Sequence, residues 1–247
     1  MWIKRLLPTI LLLLLILVGC AAPSEPSEAA AMTVITLETT PALAHWLPLA
    51  AKCANNLPDL GLSATVGTRE NLSPGSADLI LRLGPREELD PFVTVLGQEQ
   101  LVVLAGVDVP LTEIGLESLR QIYSGNADQW SDLSEFDDPE ESGDAITTFG
   151  YPTGHELAKF FNEIYLGEAP HYAVTQSYST VERLVELLQE NPAGIAYALA
   201  SQAPPNALTL AVTDIEPDTN ALWVLAVTPD EPADGLRQLL LCLQNTQ

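Results

Sequence analysis

The chain has 247 residues, of which 47% are hydrophobic, and its formal net charge is −23 at pH 7. The hydrophobic content is sufficient for a folded core and excludes a wholly disordered chain. The negative charge argues against nucleic acid or an anionic membrane surface as a partner, because both are bound by clustered Lys and Arg side chains.

The first 20 residues have the pattern of a bacterial lipoprotein signal peptide. Lys4 and Arg5 precede an apolar stretch of 14 residues, which is shorter than the about 20 residues of a transmembrane helix. The stretch ends in Leu-Val-Gly-Cys, which resembles a lipobox, so Cys20 is the predicted lipidation site; a plain transmembrane anchor is the alternative. We expect a protein on the extracytoplasmic face of the cell membrane, attached only by its lipid, with a flexible tether over residues 21–31.

Three cysteines are present in the chain. Lipidation of Cys20 leaves Cys53 and Cys242 as a pair, and an even number of cysteines outside the cytoplasm favours a disulfide. The alternative is two buried free thiols, because separation in the sequence does not show proximity in space.

From residue 32 onward, strand-like and helix-like segments alternate. Strands are predicted from runs rich in Val, Ile and Thr, and helices from apolar residues spaced three or four apart. The predicted strands are 33–38, 62–66, 77–83, 92–96, 100–106, 145–150, 171–175, 194–199 and 221–227. The predicted helices are 42–55, 116–123, 154–166, 180–190 and 235–244. This alternation predicts an α/β sheet architecture.

Three segments share motifs with one known family. In residues 111–133 a helix is followed by an aromatic residue, a Ser-Gly turn and a Trp; Tyr123, Ser124, Gly125, Trp130 and Leu133 hold these positions. Residues 191–197 (Asn-Pro-Ala-Gly-Ile-Ala-Tyr) and 76–79 (Ser-Ala-Asp-Leu) agree in order and spacing with two further motifs. In these segments the chain resembles the phosphate-binding proteins of ABC transporters.

The resemblance implies a type 2 periplasmic-binding-protein fold, in which two lobes, each a small mixed sheet flanked by helices, enclose a cleft. Residues 32–103 and 203–247 are predicted to form lobe 1, and residues 104–202 lobe 2. The implied function is to capture a small, phosphate-like oxyanion and deliver it to the permease of an ABC importer. The alternative is a bilobal lipoprotein without a transport role, acting as a sensor or interaction module.

Two strand-to-helix turns are candidate parts of the ligand site. Thr39 and Thr40 precede the first helix, and Thr153, Gly154 and His155 precede a helix of the second lobe. The N-terminus of a helix has unpaired N–H groups and a partial positive charge, which favour anions. We therefore expect these residues to converge on the cleft and bind a small anion or polar solute.

The resemblance implies one more site residue, Asp78, but the family's Arg is missing from this chain. Asp78 is implied to face the cleft, where the family's Asp accepts the proton of monohydrogen phosphate. The family has an Arg before the second turn, but Phe149 to Pro152 stand there in this chain. Arg82 is predicted to replace that Arg, because strand alternation puts it on the same face as Asp78. Another oxyanion, an organic ligand or no ligand remain as alternatives.

Motifs for catalysis are missing from the sequence. There is no Gly-x-Ser-x-Gly elbow, no pair of His residues at metal-binding spacing and no Gly-rich phosphate loop. His45, His155 and His171 are far apart in the chain. The sequence therefore predicts a protein that is not an enzyme and that needs neither a metal nor a cofactor.

Overall fold

The computed structural model describes residues 32–135, 144–167, 176–205 and 207–246. The predicted signal peptide with Cys20 and the tether lie outside the described residues, as does the strand predicted at 171–175. In the described part of the chain no helix combines the length and the apolar character that a membrane crossing needs.

Within these residues the chain forms ten strands and five α-helices. The strands are β1 (Thr33–Thr39), β2 (Leu60–Val66), β3 (Leu79–Leu83), β4 (Phe92–Ala105), β5 (Glu113–Gly115), β6 (Thr147–Gly150), β7 (Gln176–Ser177), β8 (Gly194–Leu199), β9 (Leu208–Thr213) and β10 (Ala221–Thr228). The helices are α1 (Leu47–Asn55), α2 (Leu116–Ser124), α3 (Glu156–Phe161), α4 (Val181–Glu190) and α5 (Asp234–Gln244). The predicted α/β class is confirmed.

The sheet has two halves that share β4. The strand order is β2-β1-β3-β10-β4-β8-β6-β7, and β9 pairs with both β4 and β5. Residues 92–100 of β4 pair with β10, and residues 101–105 pair with β8. We call the part of the molecule around β1, β2, β3 and β10 the first half, and the part around β5 to β9 the second half. Each half combines parallel and antiparallel ladders, as a mixed sheet does.

One continuous β4 replaces the two strands predicted at 92–96 and 100–106. The sequence Gly97-Gln98-Glu99 interrupts the apolar pattern between the two predicted strands. In the structure the ladder to β10 continues through these residues, with a shift of register between Val224 and Leu225. A β-bulge absorbs such an irregularity without ending the strand. The two halves are therefore connected by an unbroken strand.

The helix predicted at 42–55 is divided in the structure. Pro41–Trp46 form a 3-10 helix, and α1 begins only at Leu47. Pro48 explains the change, because proline has no N–H to donate and its ring collides with the carbonyl group four residues earlier. Placed in the first turn of α1, Pro48 is tolerated, but it cannot lie inside a longer α-helix.

Three strands lie outside the predicted ones: β5, β9 and the two-residue β7, which begins directly after the strand predicted at 171–175. The sequence predicts no strand between Pro204 and Ala221, yet residues 208–210 pair with residues 103–105 of β4. Residues 211–213 pair with β5. β9, which the sequence assigns to lobe 1, thus lies against the same part of β4 as β8. The lobe boundaries drawn from the sequence stay a prediction.

Both halves are built on one buried apolar cluster, and the first half is also covalently closed. The cluster includes Leu37 and Leu81 of the first half and Trp130 and Phe161 of the second. Cys53 of α1 and Cys242 of α5 form a disulfide, with Cα atoms 5.9 Å apart. The bond joins the beginning of the folded chain to its end.

Candidate functional site

The first half contributes a buried turn at the carboxyl end of β1. Thr39 and Thr40 end the strand, and Pro41 starts the 3-10 helix because its ring already holds the backbone angle of a first helical residue. Neither threonine is exposed to solvent. The Thr39 hydroxyl donates to the carbonyl oxygen of Leu81 at 3.1 Å and joins β1 to β3. The Thr40 hydroxyl does not cap its own helix, so it can bind a group from the other half.

The second half contributes the turn between β6 and α3. Gly154 has a φ angle of 90°, a conformation that glycine adopts without strain. His155 follows as the N-cap of α3, and its Nδ1 accepts a hydrogen bond from the Leu157 N–H at 3.2 Å. The His155 ring stacks on Tyr151, with ring centres 4.2 Å apart. Thr153 and Gly154 are exposed at the surface of the turn.

Glu156, the first residue of α3, connects the two turns. Its side chain is 2% exposed, although glutamate is rarely buried unless it is paired. Oε1 accepts a hydrogen bond from the Thr40 hydroxyl, and Oε2 lies 3.5 Å from Nη1 of Arg69. Two groups of the first half therefore bind both carboxylate oxygens of a second-half residue.

Arg69 is fixed in this position by its other contacts. Nη1 donates to the carbonyl oxygen of Leu83 at 2.6 Å, and Nη2 donates to Oε1 of Glu87 at 2.5 Å. The guanidinium carbon also lies 5.8 Å from the ring centre of Phe160 on α3, within the range of a cation–π interaction. Because the guanidinium is already fixed, its N–H groups can donate to a carboxylate or phosphate oxygen with little further loss of side-chain conformational entropy.

The charge of Glu156 is only partly compensated. Burial raises the pKa of Glu156, whereas the Thr40 hydrogen bond and the charges of Arg69 and Arg82 lower it. The net result is a pKa above the usual value of a glutamate. The ionised carboxylate is therefore less well stabilised at this position than in water.

Asp78 does not join Thr40 in the structure. It accepts hydrogen bonds from the backbone N–H and the hydroxyl of Thr36, at 2.8 and 2.7 Å, and these bonds keep the pKa of Asp78 below its usual value. Thr36 precedes Thr40 by four residues of extended chain, or about 13 Å. The expected convergence of Asp78 with the two turns is therefore wrong, because Asp78 lies beside the middle of β1 rather than at its carboxyl end.

Arg82 is also engaged away from the Thr40–Glu156 contact. It forms a buried ion pair with Asp90 and donates to the carbonyl oxygen of Pro85 at 2.9 Å. Strand alternation does place Asp78 and Arg82 on one face of β3. That face also carries Ile80, which packs in a small separate cluster with Ala77 and Val227. Arg82 acts on Glu156 through its charge alone.

A cleft of about 490 Å³ lies next to the Thr40–Glu156 contact, between the two halves. Of the seven residues predicted to bind ligand, His155 is the one that lines it. The lining residues are Pro41, Ala42, Ala44, His45, Val66, Tyr151, His155, Ser179, Thr180, Val181, Glu182 and Gln202. In the described ranges no three His, Cys, Asp or Glu side chains are grouped to hold a metal ion.

His155 should make stability depend on pH. Burial lowers its pKa to about 4 from 6.5, so between these values the unfolded chain binds a proton that the folded chain does not. Stability is therefore expected to fall as the pH falls from 6.5 to 4, by about 1–2 kcal/mol after allowance for partial solvent exposure. Urea unfolding of wild type and of His155→Asn, which can still cap α3, measures the difference at pH 7 and pH 4.5. Equal pH slopes for the two proteins would contradict the assignment.

Sequence reasoning missed Arg69 and Glu156 as site residues. An acid in the first turn of a helix is commonly explained by the helix dipole alone, so Glu156 carried no distinctive signal. Arg69 follows an exposed strand end and is the first residue of a short 3-10 helix, Arg69–Asn71. Its contact with α3 comes from the docking of two halves, which local patterns do not report.

The fold is that of solved phosphate-binding proteins. A substrate-binding protein of Clostridium perfringens, assigned to phosphate ABC transport and solved with bound phosphate, is 14% identical with a TM-score of 0.70, and the match covers 85% of this chain and 93% of that one. An ABC-type phosphate transport receptor of Vibrio cholerae is 13% identical with a TM-score of 0.65, covering 86% and 94%. At these identities the likeness shows the fold alone. No protein-family model and no curated protein sequence matches the chain.

The same fold also occurs in regulatory proteins. The regulatory domain of CcmR from Synechocystis, solved in complex with 2-PG, is 14% identical with a TM-score of 0.58, and the match covers 86% of this chain and 96% of that one. A fold shared by transport receptors and regulatory domains does not decide between those roles. The choice depends on the residues of the site.

Proposed function

We propose that the chain is an extracytoplasmic, lipid-anchored solute-binding protein that takes a small phosphate-like oxyanion between its two halves for an ABC importer. The observation that supports this most directly is the pair formed by the Thr40 hydroxyl and the Arg69 guanidinium. Both are held by the first half at the carboxyl end of the sheet, and together they bind a carboxylate. A site that binds a carboxylate in this way has the donors that an oxyanion requires.

The location follows from the predicted lipobox at Cys20, and the disulfide supports it. Disulfides persist in oxidising compartments outside the cytoplasm. The Cys53–Cys242 disulfide is therefore consistent with an extracytoplasmic location. In this proposal the lipid on Cys20 is the only membrane attachment, and the permease of the importer is the protein partner. The role is binding rather than catalysis.

Anion binding can be tested by titration calorimetry of the purified chain with phosphate, sulfate and arsenate. Thr40→Val should weaken binding about fivefold, because one neutral hydrogen bond is worth about 1 kcal/mol. Arg69→Gln should weaken it by about tenfold or more, because a charged hydrogen bond contributes about 1.5–3 kcal/mol. Arg183→Gln is the matched control, since Arg183 is an exposed cation that pairs with Glu186 on α4. Absence of oxyanion binding at millimolar concentration would remove the transport proposal.

The second candidate is a bilobal lipoprotein without a transport role that acts as a sensor or an interaction module. It is favoured by one observation, namely that the Thr40–Arg69 pair already holds the protein's own Glu156. Uptake of labelled phosphate by whole cells distinguishes the two functions. The transport proposal expects a loss of uptake when the gene is deleted and recovery with the wild-type gene but not with the Arg69→Gln gene. If the protein is a sensor or an interaction module, phosphate uptake should change neither on deletion of the gene nor on its replacement.

A further inference from the structure

We infer that Glu156 is an internal ligand of the anion site formed by Thr40 and Arg69, and that a solute oxyanion must displace its carboxylate in order to bind. This inference rests on the proposed function and adds the regulation of that site. The carboxylate of the second half occupies the donors that the solute would use, so the protein's own side chain closes the site.

The geometry of the contact is that of a bound ligand rather than of a surface ion pair. The Glu156 side chain is 2% exposed and the Arg69 side chain 19% exposed. The carboxylate uses one oxygen for a hydroxyl and the other for a guanidinium, which is how a free carboxylate would be held. Thr40 and Arg69 come from either side of β2 in the sequence, so the first half brings the two donors together and α3 supplies only the acceptor.

The contact is also suited to exchange. Oε2 of Glu156 is 3.5 Å from Arg69 Nη1, at the upper limit of hydrogen bonding, while the same Nη1 donates to Leu83 at 2.6 Å. Burial raises the pKa of Glu156 despite the Thr40 hydrogen bond and the charges of Arg69 and Arg82, so the ionised carboxylate is stabilised less well here than in water. An oxyanion with three or four acceptor oxygens can bind the same donors more completely.

Displacement would couple solute binding to a movement between the halves. Glu156 is the first residue of α3, and His155, its neighbour, lines the adjacent cleft. Withdrawal of the carboxylate from Thr40 removes a direct hydrogen bond between β1 of the first half and α3 of the second. A bound oxyanion could then be contacted from both sides only after α3 has shifted. Glu156 is therefore placed to compete with a solute oxyanion for the Thr40 and Arg69 donors.

The test is titration calorimetry of the full chain with inorganic phosphate and with sulfate, comparing wild type with Glu156→Gln. The substitution keeps the side-chain size and removes the negative charge. A negative charge within about 4–6 Å of a bound anion repels it by an amount that corresponds to about one pKa unit or more, which is a factor of about ten. Removing that charge should therefore let the variant bind both anions at least about tenfold more tightly. Glu163→Gln is the matched control, because Glu163 follows the same helix, is 55% exposed and pairs with the exposed Lys159 at 3.8 Å.

A pH series with sulfate provides an independent measurement, because sulfate keeps its charge between pH 5 and pH 8. The charged groups that act on Glu156 are Arg69 and Arg82. Their acidic partners are Glu87 and Asp90, and Lys159 of α3 acts on Glu87. His155 remains neutral in this range because burial lowers its pKa to about 4. Wild type should bind sulfate more tightly at pH 5, where Glu156 is more protonated, and Glu156→Gln should lose that dependence.

The outcomes separate this inference from the proposed function. Tighter binding by Glu156→Gln, weakened about fivefold when Thr40→Val is added, supports the internal ligand. Equal affinities of wild type and Glu156→Gln overturn it and leave the oxyanion site standing. Absence of binding in both proteins overturns the oxyanion site together with the internal ligand. Circular dichroism of each variant before titration verifies that a loss of binding is not a loss of folding, and Glu156→Ala serves as a second variant.

Discussion

Replacing Cys53 and Cys242 together by alanine is expected to lower the free energy of unfolding by about 3–5 kcal/mol. The cysteines are separated by 189 residues, and closing a loop of this length removes much of the conformational entropy of the unfolded chain, worth about 5 kcal/mol on the chain-entropy estimate. Strain and residual structure reduce the measured value. For a protein of this size the melting temperature should fall by about 10 °C.

Thermal unfolding with and without reductant checks this expectation. Wild type heated with a reducing agent should approach the melting temperature of the double variant, because both then lack the cross-link. The double variant itself should be insensitive to reductant, and it serves as the matched control. A wild-type melting temperature that does not change on full reduction would show that the bond does not stabilise the fold.

Trp130→Ala should be the most damaging single substitution of those considered, with a loss of about 3–5 kcal/mol. Trp130 is fully buried, and its Nε1 donates to the carbonyl oxygen of Ala193 at 2.9 Å. Alanine leaves a large cavity and removes the hydrogen bond to the half-buried Ala193 carbonyl group, and both changes are costly. Urea unfolding followed by circular dichroism measures the change without relying on tryptophan fluorescence.

Two further variants separate the causes of the Trp130 effect. Trp130→Phe keeps most of the side-chain volume and loses only the hydrogen bond, so it should cost less than Trp130→Ala. Trp223→Ala removes a tryptophan that is 47% exposed on β10 and should cost about 1 kcal/mol or less. If Trp130→Ala and Trp223→Ala destabilise the protein equally, then the burial of Trp130 is not the source of its contribution.

The Trp130 contact also explains why the sequence predicted the fold well. Two of the family-like segments, 111–133 and 191–197, are joined by this hydrogen bond, and Tyr123 of the first segment donates to the carbonyl oxygen of Phe149 at 3.2 Å. The motif residues Tyr123, Trp130 and Leu133 are buried. These motifs therefore encode the packing of the second half. They predict architecture, and they say little about which ligand the cleft accepts.

The site was less predictable because it depends on how the halves meet. Local patterns located both turns, at Thr39–Thr40 and Thr153–His155, since strand ends and helix starts have clear signals. The pairing of Thr40 with Glu156 joins residues 116 positions apart, and no periodicity reports such a contact. For Asp78, the sequence predicts the neighbouring strand β3 but not the end of that strand at which Asp78 lies. The motif alone does not say which end of β3 faces the cleft.

The place of β10 in the sheet determines the order in which the protein can be completed as it is made. β10 is the last strand in the chain, yet it lies between β3 and β4. While the chain is still growing, the second half can already pair β4 with β8 and β9, whereas the first half has a gap at its centre and two unpaired strand edges. Such edges favour association with other chains. The nascent protein therefore depends on rapid arrival of β10, and a chain that stops short of β10 is expected to aggregate rather than to fold into a smaller domain.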